Sequence, residues 1–156
     1  MTHFKNKGII KKKEATILIK EMVYEPNFKN TEVLARDSHE GYEYVVVSYG
    51  VHPCAYVAIS EGQPYFDCID YDDVRIPCHG GCTFVEWGLH GIIDKSYKVI
   101  GWDYGHYNDF SGIYLQDKFS PPWKDMKKWT TEEIVEECKE FIGHLYVLEH
   151  TELSYK

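Results

Sequence analysis

The sequence predicts an α+β fold in which a mainly antiparallel or mixed sheet packs against a long C-terminal helix. Short runs of branched and aromatic residues, separated by glycine and proline, fill the middle of the chain and are typical of strands. A stretch near the C-terminus repeats apolar residues at helical spacing, and such a helix must bury its apolar stripe against another layer. With 156 residues the chain has the size of one domain, so we expect residues 1–156 to form a single domain.

The branched and aromatic runs predict the strands Ala15–Tyr24, Tyr42–Tyr49, Cys54–Ser60, Cys82–Trp87 and Tyr97–Asp103. The run at 42–49 contains three consecutive valines, which favours a strand buried on both faces. The last two strands are expected to pair as a hairpin with a long loop. Residues 1–13 are expected to form a frayed or edge segment. A loop or short helix is expected up to Glu40, and one helical turn near Asp70–Val74.

The C-terminal helix is predicted to begin at a capping box. Thr130 and Glu133 have the spacing at which each side chain can satisfy a backbone N–H at the start of a helix. The apolar stripe that follows consists of Ile134, Cys138, Phe141, Leu145 and Leu148.

Composition excludes some classes of function. The formal net charge of −8 disfavours general nucleic-acid binding, because an acidic protein repels phosphate backbones. No run approaches the ~18 apolar residues of a membrane span, and we identify no signal peptide. The five cysteines match no secreted disulfide scaffold. We therefore expect a cytoplasmic protein with reduced thiols.

The first candidate motif surrounds His79 and lies directly before a strand. Gly80 and Gly81 permit backbone conformations closed to other residues, and successive N–H groups in such a turn can bind an anion. The imidazole beside them can transfer a proton or bind a ligand or metal. We therefore take Gly80, Gly81 and Thr83 as candidate ligand-binding residues. The alternative is a tight turn that happens to carry a histidine.

The second candidate motif follows the last predicted strand, where site residues concentrate. Asp103, His106 and Asp109 are spaced by three, and on a glycine-flanked loop their side chains can converge. An aspartate beside a histidine can fix its tautomer and raise its basicity. Trp102 and Tyr104 are candidate ligand-binding residues that could stack on a planar ligand, although aromatic residues in strands are more often core. The alternative is a polar loop whose aspartates cap turns.

Together the motifs predict one site, because both adjoin strands that we expect to be neighbours. The candidate catalytic residues are His79, Asp103, His106 and Asp109. They could bind a divalent metal ion with an open coordination position, or act as an acid–base pair. The metal set fits no named motif, so whether a cofactor binds stays open. A zinc site made of Cys54, Cys68, Cys78 and Cys82 and a nucleophilic role for Cys78 or Cys82 are further alternatives.

The middle of the chain resembles a family of small uncharacterised phage and prophage proteins. The family pattern includes His-Gly-Gly-x-Thr and, further on, Gly-[Phe/Trp]-Asp-x-x-His-x-x-Asp. The matching segments here are Ala55–Val57, Asp70–Asp72, His79–Phe84 and Gly101–Asp109. The family pattern lacks Cys78 and Cys82, which weakens any role for those thiols. The resemblance implies a phage-encoded protein in the host-cell cytoplasm and implies no substrate.

These observations favour a small hydrolase that acts on a nucleotide-like or other small polar substrate. His106, oriented by Asp103 or Asp109, would be the general base or a metal ligand. His79 would be the second proton-transfer group or ligand, and the Gly80–Gly81 turn would hold an anionic group. The alternative is a non-catalytic phage counter-defence protein that sequesters a small signalling ligand or a host protein. The sequence does not indicate the oligomeric state.

Overall fold

In the described part of the chain, a five-stranded antiparallel sheet packs against one long C-terminal helix, which confirms the predicted α+β class. The computed structural model describes residues 31–50, 52–106, 109 and 126–151. The strands are β1 (Glu32–His39), β2 (Tyr42–Ser48), β3 (Pro53–Ile59), β4 (Phe84–Leu89) and β5 (Ile93–Asp103), and the helix is α1 (Thr131–His150). Their order in the sheet is β1-β2-β3-β5-β4. Among the described residues, no helix has the length and apolar character needed to cross a membrane.

Strand β2 lies between β1 and β3 and is buried on both faces. All residues from Tyr42 to Val47 are buried, as the three consecutive valines predicted. Tyr44 and Val46 belong to the apolar cluster that includes the helix, whereas Val45 and Val47 belong to a second cluster on the other side. A strand with two apolar faces is fixed in register, because a slip by one residue would exchange its two sets of side chains.

Helix α1 covers one face of the sheet with the stripe that the sequence predicted. Its buried residues are Ile134, Cys138, Phe141, Ile142 and Leu145. The ring of Phe141 packs on the ring of Trp102 in β5, with the ring centroids 4.9 Å apart. The predicted capping box is confirmed, since the Thr130 hydroxyl accepts from the Glu133 N–H at 3.1 Å and the Glu133 carboxylate accepts from the Thr130 N–H at 3.0 Å.

The prediction of a loop or short helix before Glu40 is wrong for its described part, because Glu32–His39 is strand β1. This segment pairs antiparallel with β2, from Glu32 opposite Ser48 to His39 opposite Tyr42. Its charged and small polar residues have weak strand propensity, so the sequence pattern did not predict a strand in this segment. Pairing with a fully buried neighbour outweighs that propensity, because strand formation depends mainly on cross-strand contacts.

The last two strands form the predicted hairpin, but the long loop is absent from it. Leu89 pairs directly with Ile93, and the Ile92 N–H donates to the Leu89 carbonyl at 2.8 Å. Strand β5 therefore begins four residues before the predicted start at Tyr97. The predicted helical turn is confirmed as a 3-10 turn at Tyr71–Asp73. The predicted strand Ala15–Tyr24 and the edge segment 1–13 lie outside the described residues.

Candidate metal centre

The turn that carries His79 is held against the end of strand β5. The Gly81 N–H donates to the Cys78 carbonyl at 3.0 Å and closes the turn. The Thr83 N–H donates to the Gly101 carbonyl, also at 3.0 Å, and ties the turn to β5. Gly80 and Gly81 both have positive φ, at 72° and 85°, a region that L side chains rarely adopt. The two glycines therefore permit a turn that places the His79 imidazole beside the strand end.

The loop after β5 folds back so that His106 and Asp109 face each other. The Asp109 N–H donates to the His106 carbonyl at 2.9 Å, and the His106 N–H donates to Asp109 Oδ2 at 3.0 Å. The Gly105 N–H donates to Asp103 Oδ1 at 3.0 Å, which fixes the start of the same loop. These bonds bring the side chains of Asp103, His106 and Asp109 together. On a regular helix the same three side chains would be spread around the helix axis.

The carboxylate of Asp109 is the centre of the site. His79 Nε2 lies 2.9 Å from Oδ1 and 2.8 Å from Oδ2, and His106 Nδ1 lies 3.1 Å from Oδ2. Trp129 Nε1 donates to Oδ1 at 2.9 Å. The Asp109 side chain is only 4% exposed, whereas the side chains of His79 and His106 are 23% and 37% exposed. The carboxylate is therefore buried beneath two imidazoles that reach solvent.

Two opposing effects set the pKa of Asp109. Burial alone would raise the pKa, because it disfavours the charged carboxylate. The hydrogen bonds from His79, from the His106 backbone, from Trp129 and from the His106 ring lower it, and together they outweigh burial. The net effect is a lowered pKa, so Asp109 is ionised at neutral pH and is available to a cation or an imidazolium.

Aromatic rings fix the plane of the His79 imidazole. It stacks on the Tyr104 ring, with centroids 4.7 Å apart and an interplanar angle of 6°. The rings of His106 and Trp129 meet it edge to face, with centroid distances of 5.2 Å and 4.8 Å. Sequence reasoning missed Trp129. Its position directly before the capping-box threonine was the available signal, since that start of the helix had to lie near the sheet.

Gly80 contributes space as well as backbone conformation. A Cβ atom on Gly80 would lie 2.2 Å from Cε1 and 2.4 Å from Nε2 of His106, closer than any real contact. A Cβ on Gly81 would meet nothing within 4 Å. The absence of a side chain at Gly80 is therefore what allows the His106 ring to lie against the turn.

Asp103 lies behind His106, on the side away from Asp109. Its Oδ1 is 3.7 Å from His106 Nε2, and its Oδ2 accepts from the Thr83 hydroxyl at 3.3 Å. The two aspartates thus flank the two ring nitrogens of His106. The structure brings together the predicted residues His79, Asp103, His106 and Asp109, with Thr83 bound to Asp103.

The aromatic candidates Trp102 and Tyr104 lie in the core, with 1% and 0% exposure. Trp102 Nε1 donates to the Tyr104 hydroxyl at 3.0 Å, and that hydroxyl donates to Glu137 of α1. Burial raises the pKa of Tyr104, and the hydrogen bond to Glu137 raises it further, so the phenol stays protonated. The Tyr104 ring packs against His79 from the core side. The side chains of the site that reach solvent are those of His79 and His106.

The cysteine alternatives do not fit the structure. Cys54 packs in the cluster on one side of the sheet, whereas Cys68, Cys78 and Cys82 pack against the cluster on the other, so the proposed zinc set is wrong. Burial raises the pKa of Cys78 to about 12, with Cys82 and Glu137 adding to the effect. Burial also raises the pKa of Cys82. Both thiols are protonated at neutral pH, which disfavours a nucleophilic role.

The arrangement could hold a metal ion. One ligand atom each from His79, His106 and Asp109 lies within 4.8 Å of the others, and the described part of the chain contains no other such group of three. Two clefts among the described residues, one beside the β4–β5 turn and one along residues 63–73, are lined by other residues. The three possible ligand atoms therefore come from side chains that meet where two partly exposed imidazoles cover a buried carboxylate.

Comparisons with known proteins give no relative from which a function could be transferred. No family model, no curated protein and no solved structure matches the chain. The resemblance to the phage family thus stays a prediction, and the function must be argued from the site itself.

Proposed function

We propose that the protein is a metal-dependent hydrolase in which His79, His106 and Asp109 bind one divalent ion, with zinc as the best match. The observation that carries this proposal is that imidazoles from two separate chain segments meet one buried, ionised carboxylate. Catalytic zinc sites use three protein ligands of these types and keep a fourth position for water or substrate.

The spacing of the ligand atoms supports the proposal. Asp109 Oδ2 is 2.8 Å from His79 Nε2 and 3.1 Å from His106 Nδ1. Around a tetrahedral zinc ion with bonds of about 2.0 Å, ligand atoms stand about 3.3 Å apart. Both distances to Oδ2 would lengthen by a few tenths of an ångström around the ion, and because the three ligand atoms lie within 4.8 Å of one another, the two imidazoles would also have to draw together. Asp109 would exchange two imidazole hydrogen bonds for a metal bond and keep its bonds from Trp129 and the His106 N–H.

The surroundings of His106 favour metal binding through Nδ1. Metal-bound imidazoles in general have the other ring nitrogen next to a carboxylate or carbonyl, which fixes the tautomer. Asp103 lies next to that position, 3.7 Å from Nε2, and would accept a hydrogen bond from it after an approach of several tenths of an ångström. Asp103 is itself held by the Gly105 N–H and the Thr83 hydroxyl. Asp103 thus has the place of a positioning residue.

The exposure of the two imidazoles would leave a bound ion open to substrate, because the buried carboxylate lies beneath them. His79, His106 and Asp109 would hold the ion, which would supply Lewis-acid chemistry and lower the pKa of a bound water to about 7. The net reaction of hydrolysis would add the hydroxyl of a water to a phosphorus or carbonyl carbon of the substrate and the remaining proton of that water to the leaving group.

Titration with Co²⁺ tests the metal site, because its thiolate complexes have an intense near-ultraviolet band that imidazole and carboxylate complexes lack. We expect one equivalent to bind without that band, and His79→Ala and His106→Ala to abolish binding. His90→Ala is the matched control, since this histidine is exposed and outside the site. Retained binding in both site variants would refute the metal proposal.

Turnover tests the hydrolase. Phosphate esters, nucleotides and cyclic nucleotides would be incubated with the Zn²⁺-loaded protein, with a chelator-treated sample and with His106→Ala. We expect hydrolysis only in the first. If metal binds but every substrate is recovered intact after denaturation, the site serves binding alone, and the sequestration alternative replaces the hydrolase.

A further inference from the structure

A second surface, separate from the metal site, combines exposed apolar side chains with four aspartates, which outnumber the nearby cations Arg75 and Lys98. We infer that this surface, formed by residues 63–73 and Trp87, docks a protein segment that carries an apolar anchor beside lysine or arginine. We call it the acidic docking surface. It includes a cleft of 390 Å³ lined by Gln63, Tyr65, Phe66, Asp67, Cys68, Ile69 and Asp73.

The apolar part of the acidic docking surface is continuous. Ile69 is 87% exposed and lines the cleft together with Phe66. The Phe66 ring meets the Trp87 ring edge to face at 5.0 Å, and Trp87 is itself 50% exposed. Single exposed apolar residues are normal on a protein surface, but a contiguous patch with a polar rim is typical of an interaction site.

The surface is held in place before any partner arrives. The Phe66 N–H donates to the Gln63 carbonyl at 3.2 Å, and the Cys68 N–H donates to the Tyr65 carbonyl at 3.0 Å. The buried ammonium group of Lys98 bonds to the Cys68 carbonyl and lies 4.2 Å from the centre of the Trp87 ring. The exposure of Ile69 therefore belongs to an ordered loop, and an ordered surface loses less entropy when a partner binds.

Charge indicates the chemistry of the partner. Asp67, Asp70, Asp72 and Asp73 lie within seven residues of chain. Asp70 caps the 3-10 turn by accepting from the Asp72 N–H at 2.9 Å. The carboxylates of the other three form no salt bridge with the described part of the chain. A cationic segment would neutralise this field, whereas nucleic acid and anionic lipid would be repelled by it.

Fluorescence anisotropy of a short labelled peptide that alternates leucine with lysine tests the inference. We expect binding that weakens about tenfold in Ile69→Ser, as an anchor of this size implies. We expect a several-fold loss in the double variant Asp67→Asn/Asp73→Asn, together with reduced sensitivity to added salt. A leucine–glutamate peptide should not bind.

Matched controls on helix α1 separate this surface from general stickiness. Val147→Ser removes another exposed apolar side chain, and Glu132→Gln/Glu140→Gln removes two other exposed acids. Neither should change binding. The inference is overturned if the controls weaken binding as much as the site variants, if the glutamate peptide binds equally well, or if neither peptide binds. Because all these residues are exposed, unchanged circular dichroism is expected for every variant.

Discussion

The space at Gly80 gives a direct test of how the candidate metal centre is built. In Gly80→Ala the new methyl group would lie 2.2 Å from the His106 ring. Ordinary carbon–carbon contacts begin at about 3.5 Å, so the ring must move by about 1.3 Å. That movement would break the 3.1 Å contact between His106 Nδ1 and Asp109 Oδ2.

The matched variant is Gly81→Ala. Both glycines have positive φ, so each substitution has a backbone cost of about 1–2 kcal/mol. Only Gly80→Ala also loses a hydrogen bond to a charged group, worth about 1.5–3 kcal/mol. We therefore expect Gly80→Ala to be less stable than Gly81→Ala by about 1.5–3 kcal/mol. It should also bind a divalent ion about 10- to 100-fold more weakly, in the range seen when the orientation of a ligand is lost.

Urea unfolding of the two variants measures the first difference, and Co²⁺ titration measures the second. If the free energies of unfolding agree within about 0.5 kcal/mol, and both variants bind the ion equally well, the His106 ring does not depend on the gap at Gly80. The reasoning from the close approach would then be refuted.

Four further outcomes are expected. Because the pKa of Asp109 is lowered in the folded protein, its contribution to stability is complete above its unfolded pKa of about 3.9 and is lost as the pH falls through the folded value. Urea unfolding against pH should show a shallower acid loss in Asp109→Asn than in the unmodified protein, and an unchanged slope would contradict this. Trp129→Phe removes the indole donor to Asp109 and should lower the free energy of unfolding by about 1.5–3 kcal/mol, whereas no change would show that the bond is dispensable. Thr130→Ala removes the helix cap and should cost about 1 kcal/mol, measured in the same way. Phe141→Ala should cost about 3–5 kcal/mol, because its ring is fully buried against Trp102, and a loss below about 1 kcal/mol would place the helix elsewhere.

The sequence predicted those parts of the fold whose signals are local. The capping box at Thr130 and the apolar stripe from Ile134 to Leu148 identify helix α1, since both depend on residues a few positions apart, and Leu148 at the end of that stripe is only partly buried. The three valines of β2 identify a doubly buried strand. Strand β1 was missed because its pairing with β2 is not encoded in its own composition. The early start of β5 was missed because Asp94–Ser96 has the composition of a turn, while its pairing with β4 extends the hairpin.

The sequence predicted which residues form the candidate site better than it predicted how they are arranged. The spacing of Asp103, His106 and Asp109 brought them into one hypothesis, and the structure places them together with His79. The sequence did not predict that His79, His106 and Trp129 would all contact the Asp109 carboxylate, because these contacts depend on how the loop closes. The contribution of Trp129 depends on the helix docking beside that loop, a long-range contact that a single sequence does not reveal.

One oxygen pair on Asp109 joins the turn before β4, the loop after β5 and the segment that leads into helix α1. The residues proposed to bind the metal ion therefore also hold these three segments together. A substitution at this corner that changes ligand or metal binding would therefore also change the free energy of unfolding. A variant with altered binding at this site is expected to lose stability unless a substitution elsewhere in the chain compensates for the loss. Stability and binding should therefore be measured together for any such variant.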